Sequence, residues 1–321
     1  MNMRRWSYGV FAILATGCAA AQTYPSKPIR VIVPSTPGGS VDMLARTIGP
    51  RLAERWGQQV VVDNRSGAGG VIAAELTAKA PPDGYTLIMA TIASMATNVS
   101  LARNLPYDPV RDFAPVTQVA SQQIILLANP NFAAKSVAEL IVLAKAKPGQ
   151  IGFSTAGNGT GGHLAGELLK LLAGIDLLHV PYKGSAPALV DVISGQVPLT
   201  LISINTALPQ IKSGRVRALA VSGAHRSSVL PEVPTMIEAG VRGYESSTWY
   251  GVLAPKATPR AVVMKLNGEI VAILKLPEVK ERLLTDGAEP VGNTPEEFGA
   301  FIKSEIAKWG KVIKAAGLRA E

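Results

Sequence analysis

Residues 29 to 46 read IRVIVPSTPGGSVDMLAR. The run IRVIVP is β-branched and apolar enough for a strand, and from Ser40 onward Val41, Leu44, Ile48 and Leu52 recur at helical spacing. A strand therefore feeds a helix through a turn that carries Gly38 and Gly39. The first N–H groups of such a helix have no partner within it and point out beyond the strand's carboxyl end. Glycine lets a guest approach the backbone closely, and the helix dipole adds partial positive charge. The turn suits an anion. It lacks the Lys-Ser/Thr of a P-loop and does not spell G-x-G-x-x-G, so a carboxylate fits it as well as a phosphate. The structural alternative makes Gly39 a helix cap and has Asp42 complement the dipole.

Strand-like and helix-like segments go on alternating between short breaks, the pattern of parallel α/β sheets. QVVVD (59 to 63) and YTLIMAT (85 to 91) read as strands around the helix GGVIAAELTAKA (69 to 80). The proline-rich LARNLPYDPVRDFAPV (101 to 116) reads as a long connection. QQIILLA (122 to 128) is a buried strand, and a second series follows through the strands IGFST, LLHVPY, VPLTLIS and VRALAVS. YESSTWYGVLAP (244 to 255) is one more extended piece, and helical patterns over 259 to 286, interrupted by Pro277, and 295 to 316 close the chain. A length of 321 residues fits two domains at about 150 residues each. The expectation is an α/β fold of two lobes with mainly parallel sheets. Residues 24–120 plus 246–321 form one lobe and 121–245 the other, so the chain crosses near 120 and returns near 245, a two-crossing hinge.

The second lobe has its own glycine turn, STAGNGTGGHLAGELL (154 to 169). Gly157, Gly159 and Gly162 satisfy G-x-G-x-x-G, but they lie deep in the chain and Asp176 closes no clear second strand, so a dinucleotide reading is set aside. Thr155, Asn158 and Thr160 add side-chain hydrogen-bonding capacity beside the free N–H groups, which favours a small polar anion. Ligands of open α/β sheets lie outside the carboxyl ends of parallel strands, so lobes facing each other across a hinge bring both turns to one cleft. A diacid is then held at both ends and buried on closure. A third glycine turn, VVDNRSGAGGVIAAE (61 to 75), carries Arg65; this is read as an exposed loop residue and the turn is left outside the site.

The N-terminus, MNMRRWSYGVFAILATGCAAAQ, places Arg4 and Arg5 before an apolar core and ends in Ala19-Ala20-Ala21, the order of a secretory signal peptide over residues 1–21. Its core is shorter than the roughly 20 residues a spanning helix needs. Cys18, the one cysteine, leaves with that segment, and lipid anchoring at Cys18 through the loosely lipoprotein-like Ala15-Thr16-Gly17-Cys18 is the second reading. The 32 basic and 23 acidic residues give +9; removing Arg4 and Arg5 leaves 30 against 23, or +7. Those cations are scattered without interleaved aromatics, which argues against nucleic acid and for anionic small molecules. No G-x-S-x-G occurs. His163, His179 and His225 are too dispersed for a metal signature, and His163-x-x-x-Glu167 lacks the second histidine of H-E-x-x-H. His163 is either a polar contact at the cleft or a surface residue, and His179 a satisfied strand histidine. Asp42 and Asp191 lie near strand ends and read as structural. No catalytic residue, metal or cofactor is expected.

Seven stretches taken in order over the mature chain carry a family resemblance. They are YPSKPIRVIVPSTPGGSVDMLAR, VVVDNRSGAGGVIAAE, PPDGYTLIMAT, LPYDPVRDFAPV, STAGNGTGGHLAGELLK, HVPYKGSAPALVDVISGQV and GRVRALAVSGAHRSSVLPEVPTMIEAG. They resemble the extracytoplasmic solute receptors of tripartite tricarboxylate transporters, or Bug receptors. The resemblance implies a periplasmic, type II-like Venus-flytrap binding protein without catalysis, expected as a monomer. It would take a small carboxylate, either a di- or tricarboxylate or an aromatic acid, to membrane permease subunits. It also implies that main-chain groups and bridging waters hold the ligand at two turns. These are Thr36, Gly38, Gly39, Ser40 and Asp42 in the first, and Ser154, Thr155, Gly157, Asn158, Gly159, Thr160, Gly161 and His163 in the second. Tyr182, Ser203 and Asn205 are implied as flanking walls. Where many relatives have an aromatic before the first turn's second proline, this chain has Ser35-Thr36, which implies a roomier or more polar pocket. A sensor subunit for a membrane kinase and an exported hydrolase are the alternative functions.

Overall fold

The computed structural model describes residues 24 to 315 and 317 to 318; the expected signal segment with Cys18 lies outside the described residues. In the first lobe β1 (Ile29–Val33) runs parallel between β2 (Val60–Asn64) and β3 (Thr86–Thr91). The helix α1 (Ser40–Trp56) stops where Gly57 turns left-handed, φ 62°, and its N–H closes on the Ala53 carbonyl. A single 3-10 turn (Ala68–Gly70) leads into α2 (Val71–Ala78), and after β3 a π-helical turn (Ala93–Thr97) runs into α3 (Asn98–Leu101). The 16-residue β4 (Phe113–Ala128) then carries the chain across.

The second lobe comprises α4 (Val137–Ala146), β5 (Gly152–Thr155), α5 (Gly161–Ala173), β6 (Leu178–Pro181), α6 (Ser185–Ile193), β7 (Leu199–Ser203), α7 (Ile204–Lys212) and β8 (Arg217–Val221). The chain returns along β9 (Ser247–Pro255) and finishes with α8 (Arg260–Leu274), α9 (Pro277–Thr285), β10 (Ala288–Pro290) and α10 (Pro295–Ala315). Pro277 opens α9 at its first turn, where a missing N–H costs nothing.

The strand order is β2-β1-β3-β9-β4-β7-β5-β6, with β8 and β10 also on β4. Both outer triplets, β2-β1-β3 and β6-β5-β7, are parallel. Every pairing that involves β4 or β9 is antiparallel, because these two strands are the crossings themselves, so the sheet is mixed rather than mainly parallel. The strand partner of β4 changes between Gln123 and Ile124: up to Gln123 it lies against β9, and from Ile124 it lies against β7. Its first four residues fall in what reads as a proline-rich connection. In the structure Pro115 sits at a register shift, where a missing amide is tolerated.

Apolar residues on both faces of each sheet explain the continuous β-branched runs. Val31 packs with Leu44, Ile48 and Ile270 on one face of the first lobe, and Ile32 with Met95, Trp249 and Phe298 on the other. In the second lobe Leu126, Phe153 and Leu169 share one core, and Ile125, Leu189 and Ile202 the other.

Candidate ligand-binding site

The starts of α1, α2, α5, α6 and α7 border one cavity of about 230 Å³ between the lobes. Drug-sized pockets run to about 300–1,000 Å³, so the guest is small. In none of the five helices does the residue at the N-cap make a side-chain bond to the first turn. Glycine explains this at Gly39, Gly70 and Gly184. At the other two helices the cap residues have hydroxyls and turn them elsewhere. Thr160 Oγ1 donates to the Gly157 carbonyl at 2.8 Å, and the Ser203 hydroxyl shares a 2.8 Å hydrogen bond with that of Tyr250. Apart from the Thr206 N–H of α7, which donates to Asn205 Oδ1 at 2.8 Å, first-turn amides from both lobes are thus left without side-chain partners around one space.

The floor comes from the crossing strands through Ile124, Thr248 and Tyr250, and Ile92 and Ala93 add an apolar wall. Among the described residues, no carboxylate lines the cavity and the one charged lining residue is Lys183, exposed at the rim. An anion there meets amide dipoles, hydroxyls and one cation, without a competing acid. Among the described residues, no group of three or more acids, histidines or cysteines is placed to hold a metal ion.

The lobes touch around the cavity. The Thr36 N–H donates to the Lys183 carbonyl at 3.2 Å, Ser40 Oγ to Asn205 Oδ1 at 2.6 Å, and Thr97 Oγ1 to the Gly159 carbonyl at 2.6 Å. This is a closed cleft.

Of the ligand-binding residues the resemblance implies, Gly39, Ser40, Gly157, Asn158, Thr160, Gly161, Tyr182 and Ser203 line the cavity. The others stand behind it or between the lobes. Thr36 and Asn205 make the cross-lobe contacts just described. The Gly38 N–H donates to Asp42 at 2.9 Å, and that carboxylate, buried, also accepts from Arg46 at 3.0 Å and from Asn64 Nδ2 at 3.0 Å. Burial alone would raise the Asp42 pKa, but Arg46, Gly38 and Asn64 outweigh it and hold the carboxyl below its usual range. Asp42 orders the turn, and its charge is already spent. Ser154 is buried with its hydroxyl on the Ala188 carbonyl at 3.1 Å.

Thr155, Gly159 and His163 form the underside of the second turn. The Gly159 N–H donates to His163 Nδ1 at 3.0 Å, while Thr155 Oγ1 meets His179 Nε2 at 2.7 Å and accepts from the Gly157 N–H at 3.2 Å. The two imidazoles stack with centroids 4.0 Å apart. Burial, then Lys170, pushes His163 down to about 4; burial, then His163 and Lys170, pushes His179 down to about 3. Both rings are neutral near pH 7, so His163 keeps the lone pair that receives Gly159. Tyr182 donates to Asp191, which fixes its ring at the wall; burial and then Asp191 push its hydroxyl up to about 12.

The third glycine turn also reaches the cavity: Gly67, Ala68, Gly69 and Gly70 line it. Arg65 does stay outside, half exposed and paired with Asp63 at 3.0 Å. The strand–glycine–helix grammar of VVDNRSGAGGVIAAE matches that of the other two turns and is the signal that identifies it. Thr248 and Tyr250 have a fainter signal, the two-residue alternation of a strand.

Comparison with known proteins places the chain in a family. The profile described as tripartite tricarboxylate transporter family receptor matches residues 44–318. Protein BugT of Bordetella pertussis is 40% identical over 324 residues, covering 99% of each chain. Rpa4515 of R. palustris, solved with adipate, superposes with a TM-score of 0.90 at 41% identity, covering 92% of this chain and 99% of its own. MatC of Rhodopseudomonas palustris, solved with bound malate, gives a TM-score of 0.86 at 33% identity, covering 90% and 100%. The chain belongs to the receptor family of the tripartite tricarboxylate transporters, the solute-binding proteins that include the Bug receptors.

Proposed function

We propose that this protein is a periplasmic receptor that closes on a small di- or tricarboxylate or an aromatic acid and delivers it, chemically unchanged, to the permease of a tripartite tricarboxylate transporter. The lobes that close are residues 24–120 plus 246–321 and residues 121–245, and the protein works as a monomer. One observation carries the reading: Thr160 and Ser203, both able to cap their helices, direct their hydroxyls elsewhere. The first-turn amides of both lobes, except the Thr206 N–H that Asn205 Oδ1 accepts, therefore have no side-chain partner around a cavity that no acid lines among the described residues. The ligand is then held by Ser40, Asn158, Thr160 and the amides beside Gly39, Gly157 and Gly161, with Tyr182 and Ser203 as walls. The adipate and malate bound by Rpa4515 and MatC are acids of this chemistry.

The test is a thermal-shift and calorimetric screen of organic acids. A true ligand at about 100 times its Kd raises stability by roughly 2.7 kcal/mol. Recovery of the acid unchanged after prolonged incubation is expected; turnover, or no binder among di-, tri- and aromatic carboxylates, refutes the reading.

A further inference from the structure

The protein has other threonines inside helices with which Thr97 can be compared. Thr47 and Thr77 behave as helical threonines usually do, each donating its hydroxyl at 2.9 Å to the carbonyl four residues back, Met43 and Ala73. Thr97 does not. It is the last residue of the π-helical turn, has no exposed surface, and aims its hydroxyl across the cleft at the Gly159 carbonyl, 2.6 Å away and 62 residues on in sequence. A π-turn inserts one residue into the helical register and re-aims the side chains beyond it, a device common at functional sites.

The receiving end is built for this contact. Gly159 has φ +71°, and a Cβ there would lie 2.6 Å from Thr97 Oγ1 and 2.9 Å from Leu101 Cδ1, so only glycine allows the approach. Its N–H is already held from within the second lobe by His163 Nδ1. A pull on the Gly159 carbonyl therefore cannot be absorbed by loop flexing; it passes to the rigid start of α5, where Asn158, Thr160 and Gly161 line the cavity. The next residue, Asn98, donates from Nδ2 to the Gly69 carbonyl at 3.1 Å, tying the third glycine turn to the same point.

We infer that Thr97 is a positioning residue: it touches no ligand, but it latches the second lobe's glycine turn in the closed state and thereby sets how long a bound acid is retained. This role rests on the protein being a carboxylate receptor. The hydrogen bond exists only when the lobes meet, so its loss acts on opening and on dissociation, for every acid alike.

The test uses Thr97→Val, which keeps the shape and removes the donor, and Thr97→Ser, which keeps the donor. With adipate bound, hydrogen exchange in Thr97→Val is expected to quicken at residues 97–101 and 157–162 while strands β3 and β5 keep their protection; Thr97→Ser restores the original rates. With adipate as probe, stopped-flow dissociation from Thr97→Val is expected to be three- to tenfold faster, with association within twofold. Unchanged exchange in both segments, or unchanged dissociation of a bound acid, overturns the assignment and leaves the receptor reading intact. If neither adipate nor any other carboxylate binds the unaltered protein, the receptor reading fails and takes the retention role with it. A global rise in exchange that Ser does not rescue reduces Thr97 to a core residue and also overturns the inference.

Discussion

One added methyl group at Gly69 should weaken ligand binding while leaving the open protein folded. Gly69 belongs to the first lobe and has φ +60°; a Cβ built on it falls 2.6 Å from the Asn158 carbonyl oxygen, which belongs to the second. Carbon and carbonyl oxygen rest comfortably at about 3.3 Å or more, so closure around Gly69→Ala must stop about 0.7 Å short or force the Asn158 loop to shift. Overpacking of this kind costs about 1–3 kcal/mol, and the cost falls on the closed state alone because Asn158 moves away on opening. Binding should weaken about 5- to 150-fold. Left-handed backbone adds about 1–2 kcal/mol for any residue but glycine, in both states. Gly38→Ala separates the two effects: Gly38 has φ +80° with nothing within 4 Å of its would-be Cβ, so it should lose stability without losing affinity. Calorimetric titration with an acid from the screen, beside urea denaturation of the ligand-free proteins, provides both numbers. An affinity for Gly69→Ala equal to those of Gly38→Ala and the unaltered protein would refute the claim that Gly69 is kept for closure.

Two further outcomes concern the groups behind the turns. His163 has its pKa lowered to about 4 and His179 to about 3, both below the ordinary 6.5, so between pH 7 and 5 the unfolded chain takes up protons that the folded one refuses. Stability should therefore fall as pH drops below about 6.5, by up to about 1.4 kcal/mol per unit for each histidine. Urea denaturation across that range should show a shallower slope for His163→Gln, and an unchanged slope would refute the assignment. Asp42→Asn keeps an acceptor for Gly38 but loses the charge that faces half-exposed Arg46, so denaturation should show a loss of about 1 kcal/mol with affinity within about twofold. A tenfold loss of affinity at unchanged stability would instead put that carboxylate in the ligand site.

Local grammar carried most of the architecture. The run from Ile29 to Val33 and the spacing of Val41, Leu44, Ile48 and Leu52 announce their strand and helix because burial on two sheet faces and on one helix stripe leaves different periods. Pairing between distant strands leaves no such trace. Residues 113 to 116 read as the end of a proline-rich connection, although β9, more than a hundred residues later, supplies the hydrogen bonds that make them strand. The short β10 is invisible for the same reason, being defined by Ser121 and its neighbours rather than by its own sequence. At the site, glycine turns could be located but their two sides could not be told apart. Gly157 and Gly159 are two residues apart in one loop, yet one lines the cavity and the other faces Thr97. His163 belongs to the same turn and supports it from beneath, an arrangement that depends on stacking with His179.

The change of partners along β4 bears on how such receptors can be altered. β8 and β7 flank the far half of that strand without pairing with each other, and among the described strands β10 pairs only with its near half. A graft that exchanges one lobe for that of a relative would sever β4 and strand at least one of these segments with a raw edge. Selectivity in this scaffold is therefore open to change at the strand tips, where loops can be rewritten singly, and closed to the swapping of halves.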